Sequence, residues 1–226
     1  MIGKIAARTA TFFGVVLLIA ATPALAGVIA GSAHDFSTGP SAGWSGGRIC
    51  VACHTPHNAM TTGSPASSVA LWNHTVSSAS YTMYTSPTMK AGTGTAGASS
   101  KLCLSCHDGT VAVDSFGGRV GTINISSANN VGFDLSNDHP IGITYDTTTA
   151  TANGSLFDPA GHSVTIGTGT QTKTGSIATT LLYGGQLECS SCHDVHNTFT
   201  VGAPVGSGMV KIDPAGSKIC LACHNK

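Results

Sequence analysis

Charge is scarce in this chain, and so are most of the side chains from which a conventional globular core is built. Only 9% of its 226 residues are Asp, Glu, Lys or Arg, and only 6% are aromatic. Ten basic residues balance ten acidic ones. The strongly positive surface on which binding to a phosphate backbone rests is therefore missing, and a nucleic-acid partner is disfavoured. Beyond residue 26 no second long apolar run occurs, so no membrane span is expected. No amphipathic helical pattern of useful length recurs along the chain. No cysteine stands outside one short, repeated motif.

That motif holds all eight cysteines. The runs are Cys50-Val-Ala-Cys53-His54, Cys103-Leu-Ser-Cys106-His107, Cys189-Ser-Ser-Cys192-His193 and Cys220-Leu-Ala-Cys223-His224. Cys-x-x-Cys-His is the attachment signature of c-type haem. On a helical turn, thiols three apart share one side and reach the two vinyl groups of a porphyrin. The histidine, one turn on from the first cysteine, then aims its imidazole at the iron. Other uses of paired cysteines explain less. A redox-active pair belongs near a βαβ pattern and needs no histidine after it. A zinc ribbon joins two knuckles into one site and leaves the four histidines to coincidence. Disulfides suit an exported chain but also leave the histidines unexplained. Four covalently bound haem c groups are expected, attached through Cys50, Cys53, Cys103, Cys106, Cys189, Cys192, Cys220 and Cys223. Their proximal iron ligands are His54, His107, His193 and His224.

The N-terminus reads as an export signal. Lys4 and Arg8 form a basic leader, an apolar run extends from Phe12 to Ala21, and Ala24-Leu25-Ala26 supplies small residues for cleavage. This predicts a secretory signal peptide over residues 1–26, too short in its apolar run to cross a bilayer. No cysteine follows the cleavage site, so no lipid anchor is expected there. The mature chain, residues 27–226, is expected to be a single tetrahaem domain. It retains eight basic and ten acidic residues, to which the haem propionates add negative charge.

Gly, Ser, Thr and Ala fill the stretches between the boxes, with 29 glycines in all. So few large apolar side chains make a thin interior. The expected fold class is mostly irregular coil with short helical turns at the boxes and a few short strands. It would be a multihaem cytochrome c whose stacked haems form the core. Alternating runs at 111–113, 120–125, 141–145 and 164–166 suggest the strands. Segments 86–100 and 147–180 read as structureless. Loops that long are unusual in a compact domain, unless iron–ligand bonds pin them or they are solvated or glycosylated surface.

The boxes form a loose internal repeat. The first and third continue to a second histidine and an asparagine, His57-Asn58 and His196-Asn197, whereas the second and fourth do not. A basic residue stands two before the first cysteine in three boxes, as Arg48, Lys101 and Lys218. Ten histidines less the four in the boxes leave His34, His57, His74, His139, His162 and His196. Methionine is the competing axial ligand, but the mature chain has only Met60, Met83, Met89 and Met209, which read as apolar fillers. Bis-histidine ligation of every iron is therefore expected. Four of His34, His57, His74, His139 and His196 would be the distal ligands. His57 and His196 lie too close to their own boxes to fold back over the same iron, but reach a neighbouring one. His139 is set by the following Pro140. His74 is either a ligand or a structural histidine packed by Trp72, and His162 reads as an exposed loop residue.

With those residues in view, the chain resembles the doubled Cys-x-x-Cys-His cytochromes. The resemblance is carried by Ser32-Ala33-His34-Asp35-Phe36, by Cys53-His54-Thr55-Pro56-His57-Asn58-Ala59 and by Leu71-Trp72-Asn73-His74. It continues in Cys106-His107-Asp108-Gly109-Thr110, Asp138-His139-Pro140-Ile141 and Cys192-His193-Asp194-Val195-His196. Within that group it is similar to the extracellular tetrahaem filament cytochromes, the OmcE-type microbial nanowires. The resemblance implies little regular secondary structure, haems in stacked and T-shaped pairs, and polymerisation outside the cell. It also implies an intersubunit distal ligand at the position of His57. Because little chain follows the fourth box, the haem of Cys220, Cys223 and His224 is the one His57 is expected to complete.

The expectation is thus an electron-transfer protein, not an enzyme, carrying electrons by haem-to-haem hopping. It would be the subunit of an extracellular conductive filament, passing electrons between redox-partner cytochromes and external acceptors. A monomeric periplasmic tetrahaem shuttle is the alternative. A multihaem reductase would need an iron with an open position.

Overall fold

In the computed structural model, residues 29–61, 69–201 and 208–226 are described; the leader expected at 1–26 lies outside them. Regular structure comes in short pieces separated by turns. In chain order these are α1 (Ser41–Ser45), β1 (Thr82–Met83), α2 (Ala98–His107), β2 (Asp134–Leu135), β3 (Ile143–Thr144), α3 (Thr147–Asn153), β4 (Ser163–Thr168), β5 (Gln171–Ser176), α4 (Ile177–Thr180), β6 (Gln186–Leu187), α5 (Cys189–Cys192) and α6 (Lys218–Leu221). The strands pair two by two: β1 with β2 in parallel, β3 with β6 and β4 with β5 antiparallel. Among the described residues no helix is long and apolar enough to cross a membrane.

The segment 147–180, expected to lack structure, instead contains two helices and the longest hairpin of the described chain. The Asp146 carboxylate accepts from the Thr149 N–H at 2.7 Å and starts α3. The Ser176 hydroxyl accepts from the Thr179 N–H and starts α4, both in the manner of an N-cap. Strands β4 and β5 pair over six residues, from Ser163 opposite Ser176 to Thr168 opposite Gln171. Gly169, at φ 60°, takes the first place of their two-residue loop, where a hairpin of the II′ kind favours glycine. Val164 and Ile166 turn inward while Thr165 faces out and bonds Thr174 across the strands. Segment 86–100 likewise ends inside α2. Of the four alternating runs, 164–166 lies in β4 and 141–145 contains β3, whereas 111–113 and 120–125 hold no strand. There the Asp114 carboxylate accepts from the Thr122 and Ile123 N–H groups, a side-chain substitute for ladder bonds.

This part of the chain also supplies an apolar interior. Tyr145, Ala150, Val164, Ile166, Ile177, Leu181, Leu182 and Leu187 form one buried cluster, with Phe157, Ile212 and Cys223 against its edge. Two smaller clusters lie elsewhere. Trp72 and Leu102 pack with Cys53, while Ala96, Leu104 and Leu135 pack with Tyr81 and Met83. Each cluster borders a Cys-x-x-Cys-His box. His162, expected to be exposed, stacks on Phe157 with ring centres 3.7 Å apart.

Ile177 is fully buried at the centre of the main cluster. Truncating it to alanine is expected to cost roughly 2–5 kcal/mol, seen as a lower denaturant midpoint. Val120→Ala, at a side chain that is 93% exposed, should stay within about 0.5 kcal/mol of the unsubstituted protein.

Candidate metal centres

Each box is built on one helical turn. The His54 N–H bonds the Cys50 carbonyl at 2.8 Å, the His193 N–H that of Cys189 at 3.1 Å, and the His224 N–H that of Cys220 at 2.9 Å. The second box closes α2 itself. Three box histidines then leave the helical path and form an antiparallel bridge with a distant residue: His54 with Trp72, His193 with Val210 and His224 with Leu156.

Boxes one and three share more than their sequence. The Thr55 N–H bonds Leu71 O and the Asp194 N–H bonds Met209 O; the Asn73 N–H bonds Cys53 O and the Lys211 N–H bonds Cys192 O. Leu71 and Met209, at φ 59° and 52°, both adopt the left-handed conformation. The repeat therefore extends into Ala70–Asn73 and Gly208–Lys211, which share no residue type in register.

Ring orientation follows from the backbone. Nδ1 of His54 lies 2.7 Å from Ala70 O, that of His107 2.9 Å from Asn129 O, and that of His193 2.6 Å from Gly208 O. A neutral imidazole has one N–H, and donating it from Nδ1 leaves Nε2 as a lone pair. This is the arrangement of metal-ligating histidines, whose second nitrogen is held by an outer partner. Nδ1 of His139 is similarly placed, 3.1 Å from Pro140 O. For His34 the partner is the Met209 sulfur at 3.2 Å. Met209, expected to be a filler, thus orients a candidate ligand.

Three of the four box rings face a second imidazole. His54 and His196 have ring centres 6.3 Å apart, His107 and His34 6.1 Å, and His224 and His139 6.4 Å. Two imidazoles bonded to opposite sides of one metal ion, through metal–nitrogen bonds of about 2 Å, hold their ring centres roughly 6 Å apart. The spacing would suit a haem iron held between each pair. Among the described residues no three or more His, Cys, Asp or Glu side chains converge on a point that would hold a bare ion.

The remaining histidines divide clearly. Among the described residues no second imidazole faces His193. His57 is exposed and opposes no ring among the described residues. His74 is buried at 1% exposure; its Nδ1 and Nε2 lie 2.8 Å from Thr75 O and 3.1 Å from Ala112 O, and it packs edge-on to Trp72. Of its two readings, this geometry favours the structural one. Burial, followed by the proximity of His107, pushes His34 down to about 4, so the ring stays neutral and able to ligate well below its ordinary value of 6.5. An unfolded chain would take up that proton first, so this ring's contribution to stability falls as pH drops from about 6.5 towards 4. Burial, then His139, also lowers His224.

The thiols show which boxes adjoin. Burial and then Cys53 push Cys106 up to about 12. A hydrogen bond with Cys189 raises Cys103 furthest. Burial and then Cys192 push Cys223 up to about 12. Box one therefore lies near box two, two near three, and three near four. Helices α2 and α5 join at the middle step, through Ser99 and Ser190 hydroxyls 2.6 Å apart and the Cys189 N–H on the Ser100 hydroxyl. Asp108, beside His107, accepts from Tyr81, Ser77 and Thr110 and ties the end of α2 to segment 77–81.

Compared with known proteins, the chain matches no family model and no curated protein. The site rests on its own geometry.

His34→Ala is expected to leave one high-spin iron in the loaded protein, whereas His74→Gln should keep every iron low-spin while losing about 1–3 kcal/mol of stability. Electron paramagnetic resonance of the two variants checks this, and a high-spin signal from His74→Gln would reverse the two roles.

Proposed function

We propose that the chain is an exported tetrahaem cytochrome c that conducts electrons from site to site, as the subunit of an extracellular filament. The single observation that carries this reading is the set of three facing imidazole pairs, each spaced for one iron and each containing a box histidine. Haem iron, once bound, supplies a one-electron ferric–ferrous couple. The chain's own residues attach and orient it. The cysteines anchor the ring edge, while backbone carbonyls and Met209 hold the imidazoles in one tautomer. The proximity of successive boxes supports conduction from one to the next.

His193 decides between assembly and catalysis. Its Nδ1 is held by Gly208 O like those of His54 and His107, yet among the described residues no imidazole is paired with it. The pairing of His54 with His196, three residues after box three, suggests by the internal repeat that His193 pairs with the equivalent residue after box one. That residue is His57, exposed and with no ring opposite it among the described residues, so its partner would belong to another copy. In this proposal His57 serves the iron of His193. The expectation that it serves the iron of His224 gives way, because His139 already faces that ring. A head-to-tail contact of this kind generates a fibre where its rotation does not close into a ring. The multihaem reductase is the second reading, since an iron on His193 without that ligand would be open to substrate.

Electron microscopy and spin-state measurement of the secreted holoprotein separate them. Filaments with all irons low-spin, converting to monomers with one high-spin iron in His57→Ala, are expected. Native monomers with a high-spin iron that binds azide would favour the reductase. Native monomers with four low-spin irons would favour the periplasmic shuttle.

A further inference from the structure

Four charged side chains are buried among the described residues: Asp108, Asp114, Glu188 and Lys211. Ionised groups are rarely buried without a counter-charge, and only Asp114 has one, the Arg119 guanidinium at 3.1 Å. Glu188 and Lys211, on either side of box three, have none.

Glu188, 3% exposed, directly precedes Cys189 at the junction of α2 and α5. Its carboxylate accepts from the Ser100 N–H and hydroxyl and from the backbone at Ser191. These partners are all donors, which suits an acceptor-only carboxylate. Gly97 makes room for it, since a Cβ there would come within 1.9 Å of Oε1. Its charge reaches the thiols of both Cys103 and Cys189, on the box-two side of box three.

Lys211, 5% exposed, occupies the other side. Its ammonium donates to Ser190 O at 2.6 Å and to the Tyr183 hydroxyl at 3.1 Å, and stands 5.2 Å from the Tyr183 ring centre. With Cys192 and Cys223 it lines a cavity between boxes three and four. In the internal repeat its counterpart is the neutral Asn73. A cation has thus been placed where the fold accommodates an amide.

Reduction removes one positive charge from an iron site. A buried anion nearby opposes that change and a buried cation favours it, with little screening away from water. Asp108 beside His107 adds to the negative side. We infer that Glu188 and Lys211 act as positioning charges that grade the reduction potentials from box two to box four. Glu188 depresses the site of box two and Lys211 raises that of box four, while their effects on box three between them oppose each other. Electrons entering a subunit then settle towards box four. This rests on the tetrahaem reading.

Spectroelectrochemical titration of the purified holoprotein tests it, with covalent haem content measured on the same samples. Glu188→Gln, nearly isosteric, should shift the lowest midpoint potential upward. Lys211→Met, which keeps the aliphatic stem, should shift the highest downward. The double variant should have the narrowest span, and Lys211→Arg should restore the unsubstituted pattern. Four-haem variants whose potentials do not move, or move in the opposite directions, would overturn the inference and leave the tetrahaem reading intact. If Lys211→Met yields no four-haem protein, Glu188→Gln alone decides by the same criterion. A parent protein without covalent haem would remove both.

Discussion

The arrangement depends on a hydrogen bond that no side-chain motif announces: Nδ1–H of a box histidine donating to a backbone carbonyl. At His54, His107 and His193 that bond sets the tautomer and fixes the ring plane. Nε2 is thereby left as a lone pair pointing away from the supporting backbone. The helical turn over Cys-x-x-Cys supplies the position of the ring, and the carbonyl supplies its direction. At His54 and His107 the two together direct the ring at a second imidazole, 6.3 and 6.1 Å away. The carbonyls come from residues 15–22 positions away in sequence, so each of these three boxes is completed by its own excursion of irregular chain. That requirement accounts for a fold made largely of turns.

The irregular chain is not unsupported. Caps at Asp146 and Ser176, the β4–β5 hairpin and the cluster around Ile177 form a conventional packed unit beside boxes three and four. Trp72 with Leu102, and Leu104 with Leu135, support boxes one and two on a smaller scale. The apolar clusters hold the segments that supply carbonyls and opposing imidazoles, such as Trp72 next to the left-handed Leu71. Charge is rare in the chain, and two of the four charges buried among the described residues, Glu188 and Lys211, lie at the junctions between boxes. With so little compensating charge nearby, each has a longer electrostatic reach than it would on a typical surface.

The boxes, the helical turn within each and the repeat of His57-Asn58 in His196-Asn197 are legible in the sequence because they are local and depend on spacing. Which histidine faces which box is not legible. The pairing of His54 with His196, or of His107 with His34, depends on tertiary approach across tens of residues. The repeat of Ala70–Asn73 in Gly208–Lys211 is likewise hidden, since it is carried by backbone bonds and by φ at Leu71 and Met209. Segment 147–180 looks structureless because Thr, Gly and Ala dominate it. Its caps, Asp146 and Ser176, and its alternating Val164 and Ile166 are the signals that composition masks. Met209 and Lys211 carry no local signature; their significance comes only from lying next to His34 and between boxes three and four.

The most direct test of the central claim is the intact mass of the secreted protein, combined with reaction of its cysteines with an alkylating reagent under denaturing, reducing conditions. The account predicts a chain beginning at Gly27 that carries four haem additions and has no alkylatable cysteine. A haem-free chain in which all eight cysteines are alkylated would contradict it, whatever its assembly state.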